Sequence, residues 1–75
     1  MRYLIVIEKA GENYSAYAPD VDGCIAAADT VEETVKLMKE ALEFHLESFP
    51  EDGLAIPDPV SQHAYVEVTI PGGSG

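Results

Sequence analysis

One segment of the chain, from Val31 to Phe49, has the hydrophobic periodicity of an amphipathic helix. Thr30 and Glu33 have the spacing of a capping box at its start, and Pro50 is expected to end it. Because such a helix must bury its apolar face against another layer, the rest of this 75-residue chain is expected to supply one small sheet. The predicted core-facing side chains of the helix are Val31, Val35, Met38, Leu42, Leu46 and Phe49.

The segments before the helix are rich in β-branched, aromatic or small residues and are bounded by turn residues, which is typical of strands. Residues 2–8 are apolar on both faces, so we expect an interior strand or one that is covered on both sides. Residues 13–18 form the second predicted strand, which ends at Pro19 because proline cannot continue a ladder. Residues 24–29 form a third, short strand.

After the helix, the segment from Ala64 to Ile70 alternates apolar and polar side chains and predicts a half-exposed strand at a sheet edge. The predicted order is therefore β-β-β-α-β. This is an α+β fold, a small, mostly antiparallel sheet with one helix packed on one face. We assign residues 1–70 to this domain and residues 71–75 to a flexible tail.

The charge balance restricts the class of partner. There are 4 Lys and Arg residues against 14 Asp and Glu residues, which gives a formal net charge of −10. Such a surface repels nucleic-acid phosphates, so direct binding of DNA or RNA is not expected. A basic protein is a better partner, and the alternative is that acidity only keeps a small protein soluble.

The single cysteine, Cys24, excludes an internal disulfide and fits a reducing compartment. The apolar run near the N-terminus is too short for a secretory signal or a membrane span. We therefore expect a cytoplasmic protein that does not enter a membrane. Because domains of this size are often supported by oligomerisation, self-association is also expected.

The acidic stretch before the third strand is a candidate reactive site. Asp20 and Asp22 have the spacing of two calcium-loop ligands, but the last glutamate and the preceding helix of such a loop are missing. Cys24 lies close to these carboxylates, which raise a thiol pKa, so it is expected to be a core residue. The stretch predicts scaffold, with a turn at residues 20–23 and no metal or cofactor.

Three motifs taken together resemble the HicB antitoxin family. The first precedes the third predicted strand, the second starts the helix, and the third follows the helix. Ala28 and Thr34 stand where the family usually has glycine and alanine. The matching residues are Pro19, Asp20, Gly23, Cys24, Asp29, Thr30, Glu33, Ile56, Pro57 and Pro59.

This resemblance implies a β-β-β-α-β fold likened to a partial ribonuclease H fold without its catalytic acids. It also implies that the domain binds and blocks a small basic HicA-like toxin that cleaves messenger RNA. Many members carry a C-terminal DNA-binding module, but only residues 71–75 follow Ile70 here, so operator binding is not expected. The alternative is a stand-alone oligomeric domain with a housekeeping or ligand-binding role.

Two groups on the helix are candidates for contact with a toxin or with a second copy. Glu40, Glu43 and Glu47 form an acidic ridge, for which a solvated face is the alternative. Leu37, Ala41 and Phe44 lie on a flank beside the core stripe, where they either extend the core or contact another chain. Self-association is expected through this flank or through pairing of the edge strand, residues 64–70.

A remnant nuclease is a further alternative. Glu8, Glu40 and Glu67 lie on a strand, the helix and a strand, and could converge on metal ions as two-metal chemistry requires. The same positions are ordinary exposed acids, so we expect no enzymatic activity.

Overall fold

The computed structural model describes residues 1–72, so the end of the predicted tail lies outside the described residues. Three antiparallel strands are followed by one long helix, which confirms the predicted α+β class. The strands are β1 (Val6–Ala10), β2 (Asn13–Ala18) and β3 (Val21–Ala28), and the helix is α1 (Val31–Glu51). The sheet order is β1-β2-β3, so each strand pairs with its neighbour in sequence.

The pairing of β2 with β3 contains a bulge. Tyr17 lies opposite Ile25, but the next residue, Ala18, lies opposite Val21. Gly23 lies within the extra residues of β3 and has a φ angle of 78°, which glycine adopts without steric cost. The predicted turn at residues 20–23 is therefore wrong, because β3 starts earlier than expected and accommodates the glycine as a bulge.

The core lies between α1 and the sheet. Met38 is fully buried and Leu42 is almost fully buried, as the periodicity predicted. The sheet contributes mainly small side chains, which let the helix approach it closely. These buried sheet residues are Ala16, Ala18, Val21 and Cys24.

The predicted core stripe is wrong at the start of α1. Val31 and Val35 are 40% and 43% exposed, whereas Thr34 is fully buried. Thr34 tolerates burial because its hydroxyl donates a 2.7 Å hydrogen bond to the carbonyl oxygen of Thr30. A polar side chain whose hydrogen bond is made locally thus occupies a core position that the predicted apolar stripe did not include.

The two ends of α1 differ in how well they were predicted. The N-cap half of the predicted capping box forms, since Thr30 Oγ1 accepts a 3.1 Å hydrogen bond from the Glu33 N–H, while the Glu33 carboxylate accepts a 3.3 Å hydrogen bond from the Thr30 hydroxyl. Pro50 does not end the helix, which continues to Glu51 with Asp52 as its C-cap. Proline has a helical φ angle, and in the last turn it removes only one backbone hydrogen bond.

The strand predicted at residues 64–70 is not formed. This segment, here called the arm, has no ladder partner among the described residues, and Val66 and Val68 are 81% and 69% exposed. β1 is correspondingly an edge strand and not the interior strand that its apolar faces predicted. A strand is stabilised by backbone hydrogen bonds to a neighbour, and within this one chain the arm makes none of them.

The arm also changes the dimensions of the molecule. A helix the length of α1 spans about 32 Å, whereas the described chain extends 55 Å in its longest direction. Its radius of gyration is 15.6 Å, and a compact chain of this length would have about 11 Å. The exposed arm therefore projects away from the packed body.

Candidate protein-interaction surface

The outward side of α1 carries all of the candidate partner-binding side chains of the helix. They lie within about a third of the helix circumference and face away from the buried Met38. Phe44 is 80% exposed and Leu37 is 43% exposed, so neither extends the core. We call this surface the outer face of α1, and its members are Leu37, Glu40, Glu43, Phe44 and Glu47.

The outer face carries three carboxylates, and one of them forms an ion pair within the described residues. Lys39 Nζ lies 3.0 Å from Glu43 Oε2, and both side chains are mostly exposed. Among residues 1–72, Glu40 and Glu47 form no ion pair. Exposed aromatic and aliphatic side chains beside unpaired carboxylates form a surface suited to a partner that is basic and has an apolar recess.

Asp20 has a structural role that the sequence did not reveal. Its carboxylate accepts hydrogen bonds from Ser61 Oγ at 2.7 Å and from the Ser61 N–H at 2.9 Å. These bonds, the hydroxyl bond first, hold the pKa of Asp20 below its usual value. We call this contact the latch, because it ties the turn after β2 to the segment that leads into the arm. In the sequence, the only indication of this contact was that a Pro-Asp motif and a later proline-rich motif occur in the same chain.

A second tie holds the same segment at the N-terminal side. The Tyr3 hydroxyl donates a hydrogen bond to the carbonyl oxygen of Pro57. Beside it, an open groove of about 510 Å³ lies between the N-terminal segment and α1. The groove is mainly apolar, and its residues include Tyr3, Ile5, Val35, Leu42, Leu46 and Ile56.

The other motif residues are structural in their geometry. Cys24 is buried in the core, and burial raises the pKa of its thiol, which keeps the thiol protonated at neutral pH. Pro19 lies in the turn between β2 and β3, Gly23 in the bulge, and Thr30 at the start of α1. These positions shape the sheet and the helix start and present no reactive atom to solvent.

The carboxylates considered for a nuclease do not converge. Within residues 1–72, no three Asp, Glu, His or Cys side chains are grouped so that they could hold a metal ion, and this includes Glu8, Glu40 and Glu67. In the same part of the chain, no helix has both the length and the apolar character needed to cross a membrane.

The fold and the outer face define a small α+β domain whose helix presents exposed apolar and acidic side chains to solvent. Residues 3–71 match the family model described as HicB-like antitoxin of bacterial toxin–antitoxin system. The chain therefore belongs to the HicB-like antitoxin family, which confirms the resemblance carried by the three sequence motifs.

Individual relatives agree with this assignment. The chain is 42% identical over 65 residues to an uncharacterised 14.9 kDa protein of Haemophilus phage HP1, a match that covers 84% of this chain and 49% of the phage protein. It thus spans about half the length of that relative. It is also 38% identical over 50 residues to a UPF0150 protein of Helicobacter pylori, covering 67% of this chain and 69% of the relative.

A solved structure supports the same family. A chain in the HicA3 and HicB3 toxin–antitoxin complex is 35% identical to this chain and superposes with a TM-score of 0.68. The match covers 80% of this chain and 70% of the other. The likeness therefore includes most of the sheet–helix body, not one element alone.

Proposed function

We propose that this chain is an antitoxin-type binding protein that neutralises a small basic, messenger-RNA-cleaving toxin of the HicA type. Membership of the HicB-like antitoxin family and the likeness to a chain of the HicA3 and HicB3 complex support this proposal. The observation that carries it is the outer face of α1, where Phe44 is 80% exposed between Glu40 and Glu47. The protein works in the cytoplasm, where such toxins meet their messenger RNA.

Neutralisation proceeds by contact and requires no chemistry from this chain. Phe44 and Leu37 supply apolar anchors, because aromatic side chains often dominate the binding energy of an interface. The surrounding carboxylates steer a basic partner during encounter and restrict orientation on contact. A toxin held in this way has its basic RNA-binding surface covered by a chain whose formal net charge is −10. The antitoxin itself does not bind nucleic acid.

The test is co-expression with a basic HicA-type ribonuclease toxin, read out as growth arrest, messenger-RNA cleavage and co-purification. The native chain is expected to restore growth and to form a stable complex. Phe44→Ala and the double variant Glu40→Lys/Glu47→Lys are expected to lose both. Glu12→Lys/Asp58→Lys is the matched control, since it changes the net charge equally at exposed positions away from α1.

Equal neutralisation by all four proteins would show that the outer face is not the toxin-binding surface. Failure of the native chain to rescue growth or form a complex would favour the second candidate function, a stand-alone oligomeric domain. The exposure of the arm favours this candidate, because apolar side chains on an unpaired segment favour association with another chain. Self-association through the arm or through the helix flank is compatible with either function.

A further inference from the structure

The arm has the sequence of a strand but lacks a sheet. Its apolar row occupies alternate positions, which would place the row on one face of a strand. Val66, Val68 and Ile70 of this row are 81%, 69% and 56% exposed. A contiguous exposed apolar row on an unpaired backbone is unusual for an isolated soluble protein, since both the side chains and the backbone groups lack partners.

β1 lacks a neighbouring strand on one side, just as the arm lacks a sheet to pair with. Residues 2–8 are apolar on both faces, as expected for a strand with neighbours on both sides, yet within residues 1–72 no strand pairs with the outer edge of β1. Tyr3, Ile5 and Ile7 pack against the core, so this side of the N-terminal segment faces α1. A strand added along the edge would extend the sheet and would place its own apolar row over the groove beside α1.

Open space lies beside the β1 edge. A cavity of about 380 Å³ separates residues 4–7 from residues 63–65 of the same chain. The arm thus begins beside the β1 edge but remains across a cavity from it. The latch between Ser61 and Asp20, together with the Tyr3–Pro57 hydrogen bond, holds the start of the arm in this position.

The charges favour a second copy over a separate partner. Arg2 and Lys9, half of the cations in this acidic chain, lie at the two ends of the β1 segment. The only charged residue of the arm is Glu67, which suits that edge. Two copies would repel each other across the acidic outer face of α1, but only Glu43 of that face lines the groove, and there it is paired with Lys39.

We propose that two copies exchange their arms, so that residues 64–70 of each chain form the fourth strand of the other chain's sheet along β1. Each arm pairs its backbone with the β1 edge and covers the groove beside Leu42 and Leu46 with its apolar row. Because the exchange is reciprocal, it closes as a twofold dimer and leaves no free β1 edge. Phe44 and Leu37 stay exposed, so the dimer presents two outer faces to partners.

The first experiment measures mass in solution by light scattering over a concentration series. The native chain is expected to be a dimer. Val66→Asp/Val68→Asp is expected to raise the dimer dissociation constant about 100-fold, about tenfold for each buried side chain. Tyr65→Asp/Thr69→Asp adds the same charge on the opposite face of the arm and is expected to change the constant by less than about threefold. Circular dichroism of both variants should retain the helical signal of α1, because the arm does not pack in the core of its own chain.

The second experiment shows which chain receives the arm. A tagged Glu8→Cys chain is mixed with an untagged Glu67→Cys chain and treated with a short bismaleimide; the native Cys24 is buried and serves as an unreactive background. The expected product is a covalent dimer between the tagged and untagged chains, which neither single variant forms alone.

Three outcomes would overturn the proposal. A native chain that is monomeric at all concentrations would exclude exchange. In a chain carrying both substitutions, crosslinking only within single chains would show that the arm folds onto its own sheet. A dimer that yields no mixed product and tolerates Val66→Asp/Val68→Asp would assign dimerisation to another surface.

Discussion

The sheet–helix body and the arm have similar sequence patterns but opposite environments. In β2, Ala16 and Ala18 alternate with more exposed neighbours and are almost completely buried under α1. In the arm, Val66 and Val68 alternate in the same way and are largely exposed. The arm side chains are the more hydrophobic of the two pairs, so hydrophobicity does not decide burial here. The decisive factor is whether a neighbouring strand and a covering layer are available.

The comparison has an energetic consequence. Burying a side chain such as valine or isoleucine contributes about 1.5–3 kcal/mol. The body realises this contribution through a few tightly packed residues, with Met38 fully buried at the centre. The apolar side chains of the arm would contribute a similar free energy if they were buried, and this requires contact with another surface. Substitutions in the body should therefore change folding, whereas substitutions in the arm should change association.

The largest predicted effect is at the centre of the body. Met38→Ala is expected to lower the free energy of unfolding by about 2–5 kcal/mol, because it removes a buried side chain and leaves a cavity. Val68→Ala, measured at concentrations low enough to dissociate oligomers, is expected to change it by less than about 0.5 kcal/mol. Urea denaturation followed by circular dichroism measures both. Similar losses in the two variants would contradict the distinction between body and arm.

The same comparison explains what could be predicted from the sequence. The start of α1 was predicted correctly because a capping box is a local arrangement, complete within Thr30 and Glu33. The α+β class followed from one helical and several strand-like periodicities, which are also local signals. Family membership was predictable because three spaced motifs occur together.

The errors concern contacts that local patterns do not encode. The alternation in the arm identified residues that favour a strand. It does not indicate which sheet edge they pair with, or whether that edge belongs to the same chain or to another. Thr34 was not among the predicted core residues, because its burial depends on a hydrogen bond from its hydroxyl to the Thr30 carbonyl oxygen, a contact that hydropathy cannot represent. The latch joins residues 41 positions apart and was invisible for the same reason. The outer face of α1 was visible because surface residues of a helix can be read from its periodicity alone.

A smaller effect is predicted at the start of α1, where the body depends on a single cap. Thr30→Ala is expected to reduce the free energy of unfolding by about 1 kcal/mol, since it leaves the Glu33 N–H without its acceptor. Thr30→Ser retains the hydroxyl and is the matched control, with most of the stability preserved. Thermal denaturation of the three proteins measures the difference. Equal losses in Thr30→Ala and Thr30→Ser would show that the hydroxyl is not the stabilising group.

The latch connects the body to the arm, and its contribution should depend on pH. Hydrogen bonds from Ser61 lower the pKa of Asp20 in the folded chain, so the stabilisation is present above the unfolded pKa, near 3.8, and is lost as the pH falls through the folded pKa. Asp20→Asn is expected to lower the urea midpoint slightly at neutral pH. That difference from the native chain should shrink on acidification below the folded pKa. Ser61→Ala should show a partial loss at neutral pH, because it keeps the N–H donor. A difference that is constant with pH would exclude an ionised Asp20 as the acceptor.

The smallest predicted effect on folding is at the Lys39–Glu43 ion pair. Both side chains are mostly exposed, so Lys39→Ala is expected to change the free energy of unfolding by no more than about 0.5 kcal/mol.

The same substitution is expected to strengthen binding of a basic partner, since removing Lys39 leaves Glu43 unpaired and makes the outer face more acidic. A basic toxin is then expected to associate faster at low salt, and the gain should disappear at high salt as the charges are screened. Stopped-flow association rates at two salt concentrations measure this, with Lys9→Ala as the control because it removes an equal charge from the β1 edge. A gain of equal size in the control would show that net charge, and not the outer face of α1, determines the association rate.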